Sequence, residues 1–550
     1  MRSLLVVALL VVVALLGFAP HRAQADANGG ATCAVCTLLV ALVEQNMQLK
    51  QINASASMEM ICSYLPSPLN DACAVALLDI GAKVTPFIDA GENPDAVCAS
   101  LGYCFNQTGV CRLFPSNMTE IEHIQRVMAM RAVMGPVRAF NICTIVPGVC
   151  DMENHEPFSD TDGDKFSTIE TLRGTFFRGK DCDDLNNTIF PGRNSHDAVF
   201  DENCNGIYGV DALTGQPYED KWCAGTNAFG VASLGDSATA HFRLPPNYLV
   251  AANLSSANFA HILRLLENEA DWPMLSWSTG HLNSTEFNPD IYGPVSSLYS
   301  RMLEHNRCNH RDYQNLGVNG ARVSDLINFD TELSRNRKDN VKPLVMIYSM
   351  VGNDVCNGHH TFNTMTTPTE YYNNIMAALE KAEDILPAGS HVILIPLVDG
   401  RILFETMHNR IHPIGSTNND VTYSALYDYL NCIDVSPCWG WMNSNETVRN
   451  TTYEIASSLN AQLPLIVNAS SKFKNFEVHY FGNVFNDAIK SYPYPLYTLI
   501  EPVDGFHPSQ WGNSWIGDYL FNLTLASGIL GAPNPNNAAI VAKFGDQGGY

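Results

Sequence analysis

The sequence predicts a multi-domain protein in which a small, disulfide-stapled α-helical domain precedes a larger three-layer α/β domain. Six of the 16 cysteines fall in an Ala/Leu/Val-rich stretch between residues 33 and 104, where apolar residues recur at helical spacing. Farther on, apolar strand-like runs alternate with amphipathic helical stretches, the rhythm of a doubly wound parallel sheet. The 550 residues are also too many for one ordinary core, so we expect two or three domains.

Residues 1–25 have the pattern of a signal peptide. A short apolar run, 4–18, follows a basic start, and Ala-Gln-Ala at 23–25 offers a small-residue cleavage site. No later segment has enough uninterrupted apolar residues to cross a bilayer, so we expect no transmembrane segment. The even cysteine count suits an oxidising compartment, and sequons such as Asn53 and Asn522 suit a glycoprotein. We expect a protein that is secreted or held in a lysosomal or endosomal lumen.

The charge balance excludes some partners. Acidic residues outnumber basic ones by 56 to 32, which gives a formal net charge of −24. Nucleic acids need basic partners for their phosphates, so we expect no nucleic-acid partner. The same balance argues against simple electrostatic adhesion to anionic membranes.

The N-terminal domain, residues 26–108, is helical by pattern. Apolar positions in CAVCTLLVALVEQ and ACAVALLDIGAKVTPFI recur at helical spacing. Six cysteines allow fifteen pairings, so counting does not give the connectivity. The spacing and pattern resemble a saposin B-type domain, which binds or extracts lipids with four or five amphipathic helices. That resemblance implies the disulfides Cys33–Cys104, Cys36–Cys98 and Cys62–Cys73. A helical domain that only helps folding is the alternative.

Residues 109–150 are predicted to be a connector and a candidate processing region. It contains one predicted helix, EIEHIQRVMAMRAVMG, and is bracketed by Cys111 and Cys150. Exposed connectors of this kind are natural sites of proteolysis. An ordered inter-domain helix that is not processed is the alternative.

Residues 151–226 form an acidic segment that begins with SDTDGDKFSTIE. Carboxylates at alternating positions wrap a hard cation with oxygen ligands, as in an EF-hand loop. The predicted ligands here are Asp160, Asp162, Asp164 and the carbonyl of Phe166. The loop departs from the EF-hand rule because Gly163 comes early and Thr171 stands where a bidentate Glu is expected.

A second acidic group follows in KDCDDLNNTIFPG and FDENCNGIYGVD. Its candidate ligands are Asp181, Asp183, Asp184, Asp201, Asn203, Asn205 and Asp211. This alternation resembles the calcium-binding repeats of secreted proteins, so Ca²⁺ is the expected cofactor, with solvated acidic turns as the alternative. Zinc is not expected here, because the ligand set is rich in oxygen and the nearby cysteines are expected to form disulfides.

Residues 227–550 carry the residues of a serine esterase. In LGDSATAHF, Ser237 follows the apolar run GVASL and a Gly-Asp turn, which would expose its hydroxyl at the carboxyl edge of a sheet. A serine needs a histidine to accept its proton and a carboxylate to hold that histidine. Asp504 and His507 in EPVDGFHPSQ lie three residues apart, so one loop can supply both.

Two further blocks complete a family pattern: Gly320 in NLGVNGA and Asn353 in VGNDV. The order GDS, Gly, GxND, DxxH resembles the SGNH (GDSL-like) hydrolases, which implies a flavodoxin-like, three-layer fold. By that resemblance Ser237 is the nucleophile, His507 the base and Asp504 its orienting acid. The amides of Ser237 and Gly320 and the side chain of Asn353 would form the oxyanion hole. Ala238 replaces the leucine usual after GDS.

Across nearly the whole mature chain, the order of these parts resembles the acyloxyacyl hydrolase family. DTDGDKFSTIETLRG, LGDSATAHF, CNHRDYQN, VGNDVCNG, HNRIHPIG, VSPCWGWM, EPVDGFHP and FGDQGG carry the resemblance. It implies release of secondary, acyloxyacyl-linked fatty acids from lipid A of bacterial lipopolysaccharide, and a precursor cut into disulfide-linked small and large subunits. Two alternatives remain: a general secreted phospholipase or lysophospholipase, and a non-catalytic lipid-binding protein.

Overall fold

The computed structural model describes residues 30–77, 81–106, 109–134, 159–168, 177–282, 291–356 and 360–549. The expected signal peptide lies outside the described residues. So do residues 135–158, which include the end of the candidate processing region, and Thr171.

The first part of the chain is a unit of six helices, which we call the helical unit. It consists of α1 (Gly30–Lys50), α2 (Ala54–Ser63), α3 (Leu69–Ala76), α4 (Ala82–Asp89), α5 (Pro94–Ser100) and α6 (Glu120–Met134), with a hairpin of β1 (Phe105–Asn106) and β2 (Gly109–Val110) before α6. The predicted helical character is confirmed. Side chains cap two of the helices: Asn53 accepts the N–H of Ala56, and Asn93 that of Asp95.

Packing and disulfides hold this unit together. α1 packs against α2 and α5, and α6 packs against α5, so α6 belongs to the helical unit and is not a free connector. The structure pairs Cys33 with Cys104, Cys36 with Cys98 and Cys62 with Cys73, the connectivity that the saposin resemblance implies. Such cross-links restrict the unfolded chain and so favour the folded state.

Helix α1 departs from the expectation that no segment after the signal peptide is apolar enough to cross a bilayer. Among the described residues it is the one helix that is long and apolar enough to cross a membrane. However, 67% of its most apolar stretch is buried inside the protein, with Leu38 and Leu42 almost fully buried. This burial is that of a core helix.

The rest of the chain is a mixed α/β domain. Its strands are β3 (Phe177–Arg178), β4 (Gly230–Gly235), β5 (Tyr313–Gly317), β6 (Leu344–Ser349), β7 (Ser390–Ile395) and β8 (Phe476–His479). Its helices are α7 (Tyr218–Cys223), α8 (Ser237–Ala240), α9 (Ile262–Glu267), α10 (Leu298–His305), α11 (Leu326–Glu332), α12 (Pro368–Ile385), α13 (Arg401–Met407), α14 (Tyr423–Cys432), α15 (Glu446–Asn460), α16 (Leu463–Ala469), α17 (Val484–Ser491), α18 (Gln510–Ala526) and α19 (Asn537–Phe544). From the sequence, the apolar runs GVASL, LVMIYSM and HVILIPLV are expected to be buried strands, and YYNNIMAALEKAEDIL the amphipathic helix between the last two. The structure confirms these strands as β4, β6 and β7 and the helix as α12.

The sheet order is β3-β5-β4-β6-β7-β8, and all neighbours are parallel except the edge pair β3–β5. The five parallel strands therefore have the order 2-1-3-4-5 of flavodoxin-like sheets. The strand order reverses between β4 and β6, and ligands bind at the carboxyl ends of the strands at such a switch point. Helices α11, α12, α15 and α16 pack in one group, and α10, α17 and α18 in another.

The helical unit packs directly on the α/β domain. Gln45 of α1 donates to the carbonyl of Ile414 at 2.6 Å. Cys111, after the hairpin, is disulfide-bonded to Cys432 at the end of α14. The two parts are therefore joined both covalently and by buried contacts.

Candidate active site

Ser237 lies two residues after the end of β4 and is the first residue of α8. The turn before it requires glycine, because a Cβ on Gly235 would lie 2.0 Å from Thr239 Oγ1. The side chain of Asp236 caps α8 by accepting the N–H of Ala238 at 3.0 Å. This compact turn holds the serine hydroxyl at the switch point.

The structure brings Ser237, His507 and Asp504 into one hydrogen-bonded chain. His507 Nε2 lies 2.7 Å from Ser237 Oγ, and His507 Nδ1 lies 2.5 Å from Asp504 Oδ2. All three residues are buried. The imidazole also contacts the rings of Phe242 and Phe506, each with a centroid distance of 4.8 Å. The arrangement can transfer a proton from the hydroxyl to the imidazole and hold the resulting imidazolium beside a carboxylate.

A network that the sequence did not reveal fixes the loop carrying Asp504 and His507. Asp504 Oδ1 accepts the N–H groups of Phe506 and His507, and Glu501 Oε2 accepts those of Val503 and Asp504. Burial and the charge of Asp504 raise the pKa of the Glu501 carboxyl well above its usual range. In the sequence, the EPVD motif before the histidine is the one feature that points to this network.

Side chains from the neighbouring segment support the same loop. Tyr423 Oη donates to the carbonyl of Pro502, and Tyr427 Oη donates to that of Gly505. His412, in the HNRIHPIG motif, lies with Nε2 2.7 Å from the carbonyl of Val503. Burial lowers the pKa of His412 to about 4, so its imidazole is neutral and Nε2–H is the donor to that carbonyl.

The residues expected to form the oxyanion hole lie on loops next to Ser237. Asn353 lines the same cavity as Ser237 and His507, and its Nδ2 donates to the carbonyl of Ala321 at 2.9 Å. Gly320 follows β5, which pairs with β4, and its φ of 79° is in the region that favours glycine. The loop after β5 and the loop after β6 are therefore joined by the hydrogen bond from Asn353 to Ala321.

A largely apolar cavity opens beside Ser237. Among the described residues that line it, the polar side chains are Asp236, Ser237, Asn353 and His507. The other lining residues are apolar or aromatic and include Leu403, Trp441, Phe485, Ile489, Trp515 and Ile516. Apolar walls with a few convergent polar groups are typical of ligand pockets.

Most of the predicted calcium ligands near Asp160 gather in one place, which we call the first acidic cluster. Ligand atoms of Asp160, Asp162 and Asp184 lie within 4.8 Å of one another, and so do those of Asp162, Asp164 and Asp181. The loop has EF-hand-like turns, in which Asp160 accepts the N–H groups of Gly163 and Lys165, and Asp164 accepts that of Phe166. Lys165, with φ of 75°, stands where an EF-hand has its glycine.

Unpaired oxygens at the centre of this cluster fit a cation. Asp162 Oδ2, Asp164 Oδ2 and Asp181 Oδ2 are buried with no hydrogen-bond partner among the described residues. Burial and the neighbouring carboxylates raise the pKa of Asp164 to about 7 and that of Asp181 to about 6. Hard oxygen donors crowded in this way suit Ca²⁺. Asp183 donates its backbone N–H to Asp181 Oδ1 at 3.1 Å.

The calcium ligands predicted at Asp201, Asn203 and Asn205 are arranged differently from those of the first acidic cluster. Asn203 and Asn205 donate to the two oxygens of Glu219, whose carboxylate also lies 3.1 Å from Lys342 Nζ. Asp201 Oδ2 accepts the N–H of Gly206 at 2.8 Å, while its Oδ1 and Asp197 Oδ2 are buried without a partner in the described part of the chain. Neither Asp197 nor Glu219 stands in the alternating pattern, so no local pattern identifies them in the sequence.

Asp211 does not join either group. It forms an ion pair with Lys221 and accepts the N–H of Leu213. Cys182 and Cys204, which interleave with the acidic residues, are disulfide-bonded to each other, so their sulfurs are not thiolate ligands.

Comparisons with known proteins agree with this site. A model of the saposin-like domain matches residues 32–152, and a model of the GDSL-like lipase/acylhydrolase family matches residues 231–520. Acyloxyacyl hydrolase of Homo sapiens is 39% identical, over 96% of this chain and 95% of its own length. Those of Oryctolagus cuniculus and Mus musculus are 40% and 38% identical, over 94% and 95% of this chain and 93% and 94% of their own lengths.

This chain belongs to the acyloxyacyl hydrolase family. It is an ester hydrolase with a saposin-like domain followed by a GDSL-type catalytic domain. The fold class and the enzyme class predicted from the sequence are confirmed.

Proposed function

We propose that this chain releases secondary, acyloxyacyl-linked fatty acids from lipid A of bacterial lipopolysaccharide. The observation that carries the proposal is the Ser237–His507–Asp504 chain, which lies at an apolar cavity. The choice of lipid A rests on membership of the acyloxyacyl hydrolase family, with about 39% identity over nearly the whole chain.

In the proposed mechanism, Ser237 Oγ attacks the ester carbonyl carbon while His507 Nε2 accepts the hydroxyl proton. The tetrahedral intermediate collapses with cleavage of the acyl C–O bond, and His507 returns the proton to the leaving alkoxide. Water, activated by the same imidazole, then hydrolyses the acyl-Ser237 ester to give the free fatty acid and free serine. Asp504 orients the imidazole and stabilises its charged form throughout.

The oxyanion would be bound by the amides of Ser237 and Gly320 and by the side chain of Asn353. Asn353 Nδ2 carries two hydrogens, and the contact with Ala321 uses one of them. The second is then available to the oxyanion, and the contact with Ala321 fixes the direction of the amide. Such donors act mainly on the transition state, where negative charge develops.

The apolar cavity would bind the departing acyl chain. Burial of each methylene favours binding by about 0.8 kcal/mol, so several methylenes in the cavity supply most of the substrate affinity. The helical unit would support this step by offering apolar surface to the remaining acyl chains when they leave the aggregate. Its disulfides and its saposin-like family match support that role.

We further propose that Ca²⁺ binds the first acidic cluster, held by Asp160, Asp162, Asp164, Asp181 and Asp184. A bound cation would neutralise carboxylates that otherwise repel one another. A second ion at the loop 201–205 would require Asp197, whose Oδ2 faces no partner among the described residues. The calcium is structural in this proposal, because the first acidic cluster contributes no side chain to the catalytic cavity. Asp211 is not assigned as a ligand.

The compartment and the processing are also proposals. A secreted or lysosomal location is supported by the leader sequence and by the many disulfides. Cleavage after Cys111 within the candidate processing region, 109–150, would leave a small and a large subunit joined by Cys111–Cys432, which connects the helical unit to α14. Reducing and non-reducing gels of the mature protein would test this directly.

One comparison tests the substrate. Fatty-acid release is measured from lipopolysaccharide and, at equal acyl content, from phosphatidylcholine vesicles, with labelling of Ser237 by a fluorophosphonate as the measure of active protein. We expect faster release from lipopolysaccharide, at the acyloxyacyl positions. Faster release from phospholipid would favour a general phospholipase, and no labelling would favour a non-catalytic lipid-binding protein.

A further inference from the structure

A second group of metal-ligating side chains lies on the sheet, away from both the catalytic site and the acidic clusters. It consists of His391 on β7 and Glu477 and His479 on β8. One ligand atom from each lies within 4.8 Å of the others. None of the three takes part in the mechanism above.

The strand register places these side chains together. His391 is paired with Glu477, and Ile393 is paired with His479. Residues two apart in a strand point to the same face, and parallel neighbours lie about 4.8 Å apart. His391, Glu477 and His479 therefore share one face of two adjacent strands, a rigid support for a binding site.

The distances are close to those of a metal centre. His391 Nδ1 lies 3.0 Å from His479 Nε2, and Glu477 Oε2 lies 3.9 Å from the same nitrogen. Two ligands of a tetrahedral zinc ion at about 2.05 Å are separated by about 3.3 Å, so the imidazoles need only a small rotation. Glu477 is largely exposed and is free to turn toward them.

The two imidazoles share a hydrogen bond through their facing nitrogens, which a metal ion would replace. Burial lowers the pKa of both histidines, and the neighbouring ring lowers that of His391 further. Imidazole nitrogens are good ligands for zinc, copper and nickel. Phe229 contacts the ring of His391, and Phe481 stacks on that of His479, so both rings are held in place by aromatic neighbours from which only a small rotation is needed.

We propose that His391, Glu477 and His479 bind a divalent transition-metal ion, zinc in the first instance, that links β8 to β7. β8 is the edge strand of the sheet and has only four residues. An ion held by both strands would stabilise this edge in the folded state. A water molecule would complete the tetrahedral coordination. His391 is near the start of β7, whereas Ser237 follows the end of β4, so the ion lies at the opposite end of the sheet from the esterase site.

The test uses the full-length protein saturated with calcium, so that the acidic clusters do not compete for the probe. Zn²⁺ is titrated by calorimetry, and Co²⁺ is titrated by its visible absorption, which reports nitrogen ligation. We expect one Zn²⁺ with micromolar or tighter affinity, a melting temperature that rises with Zn²⁺, and esterase activity that does not change.

The variants are His391→Gln, His479→Gln, their combination and Glu477→Gln. His261→Gln is the matched control because His261 is exposed and is not a member of this group. We expect each histidine change to weaken Zn²⁺ binding by at least about tenfold, Glu477→Gln to weaken it less, and the control to have no effect. Unchanged esterase activity toward a soluble ester verifies that each variant is folded. Zn²⁺ affinity retained by the double variant, or no saturable binding by the unaltered protein, would overturn the proposal.

Discussion

Asp236 Oδ2 accepts the backbone N–H of Val351 at 2.9 Å, although 115 residues separate the two. The same oxygen accepts the N–H of Gly352 at 3.3 Å, while Oδ1 caps the helix that begins at Ser237. The aspartate of the GDS motif therefore joins the serine turn to the loop that carries Asn353. One carboxylate therefore fixes the position of the GDS turn relative to the loop that carries the GxND motif.

This relationship predicts the effect of Asp236→Asn. The amide keeps one acceptor oxygen but turns an NH₂ group toward backbone donors, so one of the two segments must move. We expect kcat for a soluble ester to fall by about 10- to 100-fold, because displacement of Asn353 weakens an oxyanion donor. KM should change by less. A variant with normal kcat and an unaltered melting temperature would contradict the positioning role.

The catalytic assignment predicts an ordered series of losses. Ser237→Ala should abolish fluorophosphonate labelling and nearly all ester hydrolysis, and His507→Ala should be similarly severe. Asp504→Asn should be milder, because the nucleophile and base remain. Circular dichroism and melting temperature serve as folding controls. Turnover like that of the unaltered protein in Ser237→Ala would exclude this serine as the nucleophile.

The cavity assignment predicts a change in chain-length preference. Ile489 lines the cavity, and Ile489→Trp should fill part of it, with Ile489→Val as the conservative control. Each methylene kept out of the cavity loses about 0.8 kcal/mol, or about fourfold in kcat/KM. Hydrolysis of a long-chain ester should therefore fall by more than tenfold while acetyl ester hydrolysis changes little. Equal losses on both esters would mean that the cavity does not bind the acyl chain.

The calcium proposal predicts that EGTA lowers the melting temperature and that added Ca²⁺ restores it. The Asp164→Asn/Asp181→Asn variant should no longer respond to Ca²⁺. Asp211→Asn is the matched control and should keep the response, because Asp211 pairs with Lys221. If EGTA leaves the melting curve of the unaltered protein unchanged and elemental analysis finds no calcium, the cluster is not a calcium site.

Buried His412 predicts a specific dependence of stability on pH. Its pKa is lowered to about 4, whereas an unfolded histidine has a pKa of about 6.5, so unfolding takes up a proton between these values. The stability that depends on neutral His412 is present above about pH 6.5 and is lost as the pH falls toward 4.

His412→Gln replaces the imidazole donor with a neutral amide that does not titrate. The fall in melting temperature between pH 7.5 and pH 5 should therefore be smaller in this variant than in the unaltered protein. His261→Gln controls for loss of an exposed histidine. If His412→Gln keeps the full pH-dependent loss, titration of this histidine does not contribute to it.

Several features followed from the sequence alone because they are properties of single segments. Apolar periodicity reports which side of one helix or strand is buried, and it located β4, β6, β7, α1 and α12. Motif order located the four catalytic blocks, since each block is a few consecutive residues. The glycine before Asp236 is likewise a property of a single segment, because the turn at Gly235 has no room for a Cβ.

Only the tertiary structure decided which segments meet. The pairing of Cys111 with Cys432 spans 321 residues, and no spacing rule covers it. Asp184 joins Asp160 in the first acidic cluster, while Asp211 points instead to Lys221. Contacts of this kind depend on strand register and on helix packing, which bring side chains together regardless of their distance along the chain. The histidine and glutamate group on β7 and β8 exists for that reason, since a register shift by one residue would turn its side chains to opposite faces of the sheet.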